Sequence, residues 1–463
     1  MYIHTNVAGH QPEGAIVFVT DATTMVENIA LAQRHQKKGE VYLFARLITV
    51  GLGDRGRVTL DDLRAAAGQA LRAAGKERWT SAAVLLPNLF PPTQEAQAIT
   101  EGALLGAYTF DQYKSHPSER TLTDLFVTGQ DAAEGVRQGV VFAEATALAR
   151  DLANEPPNVM RPSVLADFVV SHFAKTAASV TVYAGDDLLR QQFVGVYTVG
   201  KGSAHKPRFI EIRYVTDPAK PLVALVGAGV AFDTDGISLK SKRDSSDMRF
   251  DTAGAAAVVG AMHGLVATAT PCNVVGLIAA AETIPDADSM MPGQLIQYPN
   301  GVSVQVADTD AQGRLVLADG LIRAAKLGAT FTIDIATLTG AAVAALGSRY
   351  AAVFGAEELV TRMLHSGVDT GEFLWHMPLP DEYKEQLTST YADISNIGKE
   401  SAGAITAALF LQCFVANDTQ WAHVDMAGPM QAETTSGYKP AGATGFGARV
   451  LLEATIRLSR QGV

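Results

Sequence analysis

Cysteine is scarce in this chain, which has two among 463 residues. Cys272 and Cys413 lie in apolar surroundings without the spacing of metal ligands, so we expect buried free thiols rather than a disulfide or a ligand pair. Free thiols are typical of a reducing compartment, and a cytoplasmic location is predicted. Histidines at ligand spacing are missing too, which argues against a histidine-based zinc site.

Long basic runs and long apolar runs are also missing. The net charge of -11 and the pI near 5.4 argue against general affinity for nucleic acids or anionic membranes. No apolar run reaches membrane-spanning length, and the first residues lack a basic start followed by an apolar core. We therefore expect a soluble, unexported chain without nucleic-acid or membrane partners.

The length predicts two domains, because 463 residues exceed one ordinary core. Residues 1–128 alternate short apolar strands with amphipathic helices and predict a small α/β domain in which we find no metal triplet or nucleophile. The predicted strands are 14–21, 41–50 and 81–88, and the predicted helices are 27–36 and 60–75.

Residues 129–158 are predicted to be a linker helix and turn, with the helix ending near Asn154 before two prolines. Residues 159–463 alternate helical patterns with apolar strands and predict a larger α/β/α domain with a mostly parallel sheet. Its strand candidates are 180–187, 208–215, 222–229, 273–280, 330–337, 351–356 and 421–428.

The polar residues most suited to catalysis or ligand binding follow two of these apolar segments. The alternating strand at 302–306 is followed by a predicted loop at 308–313, which contains Asp308, Asp310 and Gln312. Side chains at alternate positions leaving a strand point to one side, so these three are predicted to face a cation or a substrate together. Taken alone, such a triplet is more often a solvated turn.

A second stretch repeats this arrangement of a strand followed by acidic residues. Asp233 and Asp235 leave the strand at 222–229, Lys240 follows, and Asp251 precedes a run of small residues. Ligand sites in parallel sheets collect at the carboxyl ends of strands. We therefore expect the two acidic loops to share one site.

Both stretches resemble the leucine (cytosol) aminopeptidase family, whose members are two-metal exopeptidases. The family loop Asn-Thr-Asp-Ala-Glu-Gly-Arg-Leu corresponds to Asp-Thr-Asp-Ala-Gln-Gly-Arg-Leu at 308–315. The family's Val-Gly-Lys-Gly corresponds to Val-Gly-Ala-Gly at 226–229, and its Phe-Asp-Ser-Gly-Gly to Phe-Asp-Thr-Asp-Gly at 232–236. Segments 334–340, 421–425 and 442–447 keep the family's order, so the resemblance covers nearly the whole chain.

The resemblance implies that Asp233, Asp251 and Asp310 are metal ligands. Two further family ligands are replaced, because Ala228 stands at a lysine position and Gln312 at the position of a bridging glutamate. An alanine has no donor atom, and a glutamine amide is a neutral, weaker oxygen ligand. We therefore predict an altered metal site in which Gln312 is a weak ligand.

Other positions keep the family's functional groups or add new ones. Asp235 and Asp308 replace a glycine and an asparagine and are candidate carboxylates that compensate for the lost ligands. Both can equally be side chains of a loop without a function at the site. Lys240 matches the family's electrophilic lysine, and Arg314 matches the arginine that holds a bicarbonate acting as general base. The matching substrate-lining residues are Thr337, Leu338 and Gly340.

Two functions from different classes remain open at this point. The first is a leucine-aminopeptidase-like hydrolase that removes N-terminal residues from peptides or cleaves small amides, using divalent Zn or Mn with one ion bound. The second is an inactive homologue without metal that acts as an oligomeric scaffold or binding protein, since two ligands are lost. By resemblance, the N-terminal domain is macro-like and the assembly is a homohexamer.

Overall fold

The computed structural model describes residues 1–7, 9–23, 25–26, 29–31, 33–217, 219–234, 236–238, 245–399 and 401–460. The chain forms two compact units, one of residues 1–147 with 432–442 and one of residues 148–431 with 443–463. Each unit contains its own sheet with helices. The predicted two-domain α/β fold is confirmed.

The smaller unit contains a six-stranded sheet in the order β1-β8-β7-β2-β6-β5, in which only the β6–β5 pair is antiparallel. Two short strands, β3 and β4, form a separate pair. The strands are β1 (Tyr2–His4), β2 (Gly14–Thr20), β3 (Met25–Val26), β4 (Ile29–Ala30), β5 (Val41–Phe44), β6 (Leu47–Gly53), β7 (Ser81–Leu85) and β8 (Asp124–Thr128). The helices are α1 (Leu60–Lys76), α2 (Pro92–Gly106) and the first part of α3 (Ala132–Asn154), with 3-10 turns at Gln33–Gln36 and Arg55–Arg57.

Close helix packing and a buried ion pair hold α1 against α2. A Cβ atom on Gly102 would lie 2.2 Å from the Arg64 carbonyl oxygen, so only glycine allows this approach. Beside it, Arg64 Nε donates to Glu101 Oε2 at 2.6 Å, and both side chains are buried. Removing either partner would leave an uncompensated buried charge, so this contact is structural.

Two predictions for the smaller unit are wrong. The helix predicted at 27–36 is, over its described residues, strand β4 and a 3-10 turn, with Gln36 Nε2 donating to the Thr23 carbonyl at 2.6 Å. The single strand predicted at 41–50 is the antiparallel hairpin β5–β6. Its turn contains Ala45 with φ of 51°, and this alanine gives no sequence signal for a turn.

The larger unit contains an eight-stranded sheet in the order β17-β16-β19-β15-β11-β12-β10-β9. Its four middle strands, β19, β15, β11 and β12, run parallel, so their carboxyl ends share one edge. All seven strand candidates of this region correspond to strands. The strands of this sheet are β9 (Ser179–Ala184), β10 (Arg208–Val215), β11 (Leu222–Asp233), β12 (Asn273–Thr283), β15 (Phe331–Ala336), β16 (Ala351–Gly355), β17 (Leu374–His376) and β19 (Gln420–Asp425). A separate three-stranded sheet contains β13 (Leu295–Gln297), β14 (Ser303–Gln305) and β18 (Ile394–Ser395), and a two-stranded sheet contains β20 (Gln431–Ala432) and β21 (Gly442–Ala443).

Helices pack on both faces of this sheet, as predicted. A Cβ atom on Gly320 would lie 2.3 Å from Val226 on one face, whereas a Cβ on Gly227, the next residue of that strand, would lie 2.7 Å from the Gly254 carbonyl oxygen. The helices are α4 (Pro162–Phe173), α5 (Asp186–Arg190), α6 (Val194–Gly200), α7 (Ala253–Ala267), α8 (Gln312–Lys326), α9 (Gly340–Leu346), α10 (Glu357–Thr370), α11 (Gly403–Gln412) and α12 (Ala448–Ser459), with 3-10 turns at Ser245–Thr252 and Asp381–Leu387.

One helical stretch among the described residues, Met248–Ala267, is long and apolar enough to cross a membrane by length and composition alone. However, 78% of its apolar window is buried inside the protein. This burial is what a core helix shows.

A buried carboxyl group ties α8 to the start of α6. Asp319 is 2% exposed, and its Oδ2 accepts the Val196 N–H at 2.7 Å. Its Oδ1 is buried and has no hydrogen-bond partner within the described residues. Burial raises the pKa of Asp319 to about 8, against the opposing effect of backbone N–H groups at the start of α6. The carboxyl group is therefore mostly protonated in the folded protein at neutral pH.

Asp319 should make stability depend on pH. Between about pH 4 and pH 8 the folded chain keeps a proton that the unfolded chain releases, so the free energy of unfolding falls as the pH rises. Asp319→Asn removes this contribution, because asparagine keeps an acceptor for Val196 and does not ionise. The free energy of unfolding of Asp319→Asn minus that of the parent should increase by a few kcal/mol between about pH 4 and about pH 9. Each unit by which the pKa is raised corresponds to about 1.4 kcal/mol. Thermal unfolding of both proteins measures this difference, and parallel pH profiles would contradict it.

Candidate active site

The candidate site is a cavity of about 410 Å³ at the carboxyl edge of the parallel strands in the larger unit. Ligand sites of open α/β sheets occur at this edge, and the volume is typical of small-molecule pockets. Asp235 and Lys240, both predicted site residues, lie outside the described residues. The cavity wall contains all the other predicted site residues: Ala228, Asp233, Asp251, Asp308, Asp310, Gln312, Arg314, Thr337, Leu338 and Gly340.

Strand β11 contributes Ala228 and Asp233. Ala228 pairs with Ala279 inside the sheet and is 3% exposed, so the family's lysine position presents only a methyl group to the cavity. Asp233 ends the strand and is 4% exposed. Thr283 Oγ1, at the end of the neighbouring strand β12, donates to Asp233 Oδ1 at 2.8 Å. This bond holds the carboxylate at the edge of the sheet.

Asp251 reaches the cavity from the 3-10 turn in front of α7. Thr337 Oγ1 donates a hydrogen bond to Asp251 Oδ1. Because Thr337 follows β15, the contact joins the acidic side of the cavity to the predicted substrate-lining segment.

The second acidic loop runs from Asp308 to Ala311, and α8 begins at Gln312. The prediction of a loop as far as residue 313 is therefore wrong. Its cause is that Ala311, the residue before the helix, makes no side-chain cap and gives no sign of a helix start. Within the loop, the Asp310 N–H donates to Asp308 Oδ1 at 3.0 Å.

Gln312 carries an unused acceptor at the cavity. Its side chain is 3% exposed, and its Oε1 is buried without a hydrogen-bond partner among the described residues. A buried amide oxygen without a partner costs about 1 to 3 kcal/mol. A cation or a hydrogen-bond donor that reached this oxygen would remove that cost.

Arg314, in the first turn of α8, is 6% exposed. Its Nη1 donates to the Asn396 carbonyl at 2.9 Å, and its Nε is buried without a partner in the part of the chain that is described. Burial lowers the pKa of Arg314 to about 10, while the charges of Asp425, Asp310 and Asp308 act in the opposite direction. The guanidinium therefore remains charged at neutral pH and offsets part of the carboxylate charge.

The predicted substrate-lining segment after β15 is held by Asp425, at the end of β19. Its Oδ1 accepts the Leu338 N–H at 3.1 Å and the Thr339 N–H at 3.3 Å, and its Oδ2 accepts Thr339 Oγ1 at 2.6 Å. Burial raises the pKa of Asp425, and the charge of His423 opposes that shift. Thr339 in turn caps α9 by accepting the Ala342 N–H at 3.0 Å. The wall at residues 337–340 is thus fixed by hydrogen bonds.

Sequence reasoning missed several residues at this cavity. Lys399 lines it from the loop before α11 and is exposed, and no pattern in the sequence pointed to it. Asn396 and Asp425 hold wall residues through hydrogen bonds from outside the wall, and sequence reasoning gave neither a role. The missed apolar residues of the wall include Met248, Val343, Ile397, Ala427 and Met430.

The residues present suit one divalent ion in donor chemistry. Asp233, Asp251, Asp310 and Gln312 offer oxygen donors to one cavity, and all-oxygen sets suit Mn²⁺ or Mg²⁺ better than Zn²⁺. The described residues do not form a complete coordination site, because no three of their acidic, histidine or cysteine side chains lie close enough together to hold a metal ion. Ala228 has no donor atom and the Gln312 amide is neutral, so neither residue can hold or bridge a second ion as an amine or a carboxylate would.

Two sequence models match the chain. Residues 147–452 match the cytosol aminopeptidase family, catalytic domain, and residues 26–117 match the N-terminal domain of the same family. The larger match contains the whole cavity wall.

Curated relatives and solved structures agree with these matches. A probable cytosol aminopeptidase of Geobacter sulfurreducens is 41% identical over 426 residues, covering 89% of this chain and 86% of that protein. One of Aquifex aeolicus is 37% identical over 436 residues, covering 91% and 88%. The bottromycin maturation enzyme BotP, solved in complex with Mn, is 33% identical with a TM-score of 0.90, covering 97% of this chain and 100% of that chain. The chain therefore belongs to the cytosol aminopeptidase family.

Proposed function

We propose that this chain is a metal-dependent aminopeptidase-like hydrolase that removes N-terminal residues from peptides or cleaves small amides, and that its altered metal site holds one divalent ion, Mn²⁺ in preference to Zn²⁺. The observation that carries the proposal is the shared cavity, where Asp233, Asp251 and Asp310 meet Gln312 and Arg314. Family membership supports the reaction class.

Each part of the cavity has a defined task in this proposal. The three aspartates and the Gln312 amide oxygen hold the ion, which when bound polarises the scissile carbonyl and lowers the pKa of water. Hydrogen bonds from Thr283 and Thr337 keep Asp233 and Asp251 in place.

Arg314 and the start of α8 are suited to an anion such as bicarbonate. Helix N-termini present unsatisfied N–H groups, and α8 has no capping side chain to occupy them. A bicarbonate held there would accept the proton of the attacking water, as the resemblance implies. The segment at Thr337, Leu338 and Gly340 would orient the peptide.

The family's other properties enter as proposals of the same kind. We assign the chain a cytoplasmic location and a homohexameric assembly, and small peptides or amides as its partners. Lys240 keeps the family role of an electrophile, and Asp235 with Asp308 would add negative charge near the ion.

An inactive scaffold is the rival function, and specific observations favour it. Ala228 and Gln312 remove two family ligands, and the described residues form no ready metal cluster. Lys240 and Arg314 would then form salt bridges with the surplus aspartates.

Metal content and turnover separate the two functions. We expect purified protein to bind about one Mn²⁺ per chain and to hydrolyse an aminoacyl anilide. Asp310→Asn should lower both the Mn²⁺ affinity and kcat/KM for the anilide by more than about a hundredfold. The loss of a residue that only supports a ligand already lowers metal affinity or activity by about 10- to 100-fold. Metal analysis and anilide kinetics give the two values. Asp418→Asn, at an exposed aspartate that is not part of the cavity wall, is the matched control. A parent protein with neither metal nor turnover would establish the scaffold.

Restoring the family's ligands should change the ion count. The double variant Ala228→Lys, Gln312→Glu supplies a donor and a bridging carboxylate at two positions of the cavity wall. We expect bound Mn²⁺ to rise from about one to about two per chain, with faster anilide hydrolysis, because a bridging carboxylate can hold a second ion. An unchanged ion count in a folded double variant would show that the site differs by more than these two residues.

Lys399 is the exposed cation of the cavity wall and is proposed to bind the free carboxylate of a short peptide. Lys399→Glu should raise KM for a dipeptide by about 3- to 10-fold, as expected for an exposed charge pair of about 1 kcal/mol, and should barely affect the corresponding dipeptide amide. Steady-state kinetics on both substrates measures this. Lys384→Glu, at a surface lysine paired with Asp381, is the control. Equal effects on acid and amide would refute the assignment.

A further inference from the structure

One buried asparagine binds both ends of the second acidic loop, Asp308 and Ala311. Asn396 lies between β18 and α11 and is 0% exposed. Its Oδ1 accepts the Ala307 N–H at 2.8 Å and the Asp308 N–H at 3.2 Å. Its Nδ2 donates to the Asp308 carbonyl at 2.6 Å and to the Ala311 carbonyl at 3.4 Å. The amide thus uses both of its donors and both of its acceptor sites on this loop.

The backbone of Asn396 extends the same network. Its N–H donates to the Gln305 carbonyl at 2.9 Å, and its carbonyl accepts Arg314 Nη1 at 2.9 Å. Because the Asp310 N–H bonds to Asp308 Oδ1, the position of Asp310 depends on Asp308 and therefore on Asn396. A single residue connects the strand before the loop, the loop itself and the arginine after it.

Other side chains cannot replace this amide. Aspartate would set a carboxylate against the carbonyl oxygens of Asp308 and Ala311, while a hydroxyl or an apolar group would leave several buried backbone groups unpaired. Unpaired buried groups disfavour the present loop conformation. The geometry of the acidic loop therefore requires asparagine here.

We infer that Asn396 is the positioning residue of the site: it sets Asp308 and Asp310 against Arg314 so that the ligand carboxylate and the anion-holding guanidinium face the same substrate. This inference rests on the function proposed above. Asn396 touches no reacting atom in it and acts through the loop.

The chain supplies a matched control for a purely structural role. Asn273 is 5% exposed, and its Oδ1 accepts the N–H groups of Thr216 and Asp217, both at 3.2 Å. Its Nδ2 donates to the Asp217 carbonyl at 2.5 Å and to the Lys220 carbonyl at 2.8 Å. Asn273 begins β12, whereas the cavity lies at the carboxyl end of that strand, about 30 Å away for a strand of this length. The two asparagines hold loops in the same way at opposite ends of the sheet.

The test compares Asn396→Asp with Asn273→Asp in the full-length protein. We expect both variants to lose thermal stability, because both lose two donated bonds. Only Asn396→Asp should lower kcat on an aminoacyl anilide, by about 10- to 100-fold with little change in KM, and weaken Mn²⁺ binding measured by calorimetry by about tenfold. Equal effects of the two variants on kcat and Mn²⁺ affinity, or an effect of Asn396→Asp on thermal stability alone, would overturn the inference.

Hydrogen exchange of residues 307–311 supplies a readout that does not need turnover. Asn396→Asp should speed exchange in this loop, whereas Asn273→Asp should not. If the parent protein neither binds Mn²⁺ nor hydrolyses the anilide, the proposed function fails, and loop exchange alone decides whether Asn396 positions the loop. Unchanged exchange would reject that role. If the aspartate variants do not fold, Asn396→Ser and Asn273→Ser, which replace the amide by a single uncharged hydroxyl donor, give the same comparison.

Discussion

The parallel pairing of β12, β11, β15 and β19 is the constraint on which the site depends. Strands that run the same way end at the same edge, so Asp233, the segment after Ala336 and Asp425 meet there although they are far apart in sequence. Helices α7 and α9, which follow β11 and β15, start at that edge as well. The loop at 308–311 and Arg314 instead follow β14, a strand of a separate three-stranded sheet, so the cavity combines the edge of the parallel sheet with a loop from outside that sheet.

Charge balance then decides what this cavity can hold. Arg314 is buried but charged, and Asp425, Asp310 and Asp308 stabilise that charge. In the proposed function, Gln312 in place of a glutamate and Ala228 in place of a lysine remove one negative and one positive charge, so these two substitutions together leave the net charge unchanged. In that proposal they change the donor set, from one able to bridge two ions to one suited to a single oxygen-liganded ion.

Much of the larger unit could be predicted because its strands are long, apolar and followed by polar loops. Predictions from hydrophobic periodicity were wrong at residues 41–50, where a tight turn forms at Ala45 without a typical turn residue. They were also wrong at 27–36, where a short strand and a 3-10 turn stand in place of the predicted helix. For the site, residue types after strands were enough to find Asp233 and Asp310. Lys399 could not be found, because its place at the cavity arises from a loop fold that leaves no pattern in the sequence. The central role of Asn396 could not be predicted either, because the sequence does not show which backbone groups a single asparagine binds.

The unpaired polar atoms of the wall bear on whether the cavity still binds a ligand. Gln312 Oε1 and Arg314 Nε are buried without partners within the described residues. Each such atom costs about 1 to 3 kcal/mol, and an apolar side chain of similar size would avoid that cost. In a pure scaffold, leucine or methionine in place of Gln312 would avoid this cost, whereas Arg314 would still be needed to balance the charges of Asp425, Asp310 and Asp308. A ligand that contacts the Gln312 oxygen would satisfy that atom. The buried polar atoms of Gln312 and Arg314 are therefore better suited to binding a ligand than to stabilising the fold alone.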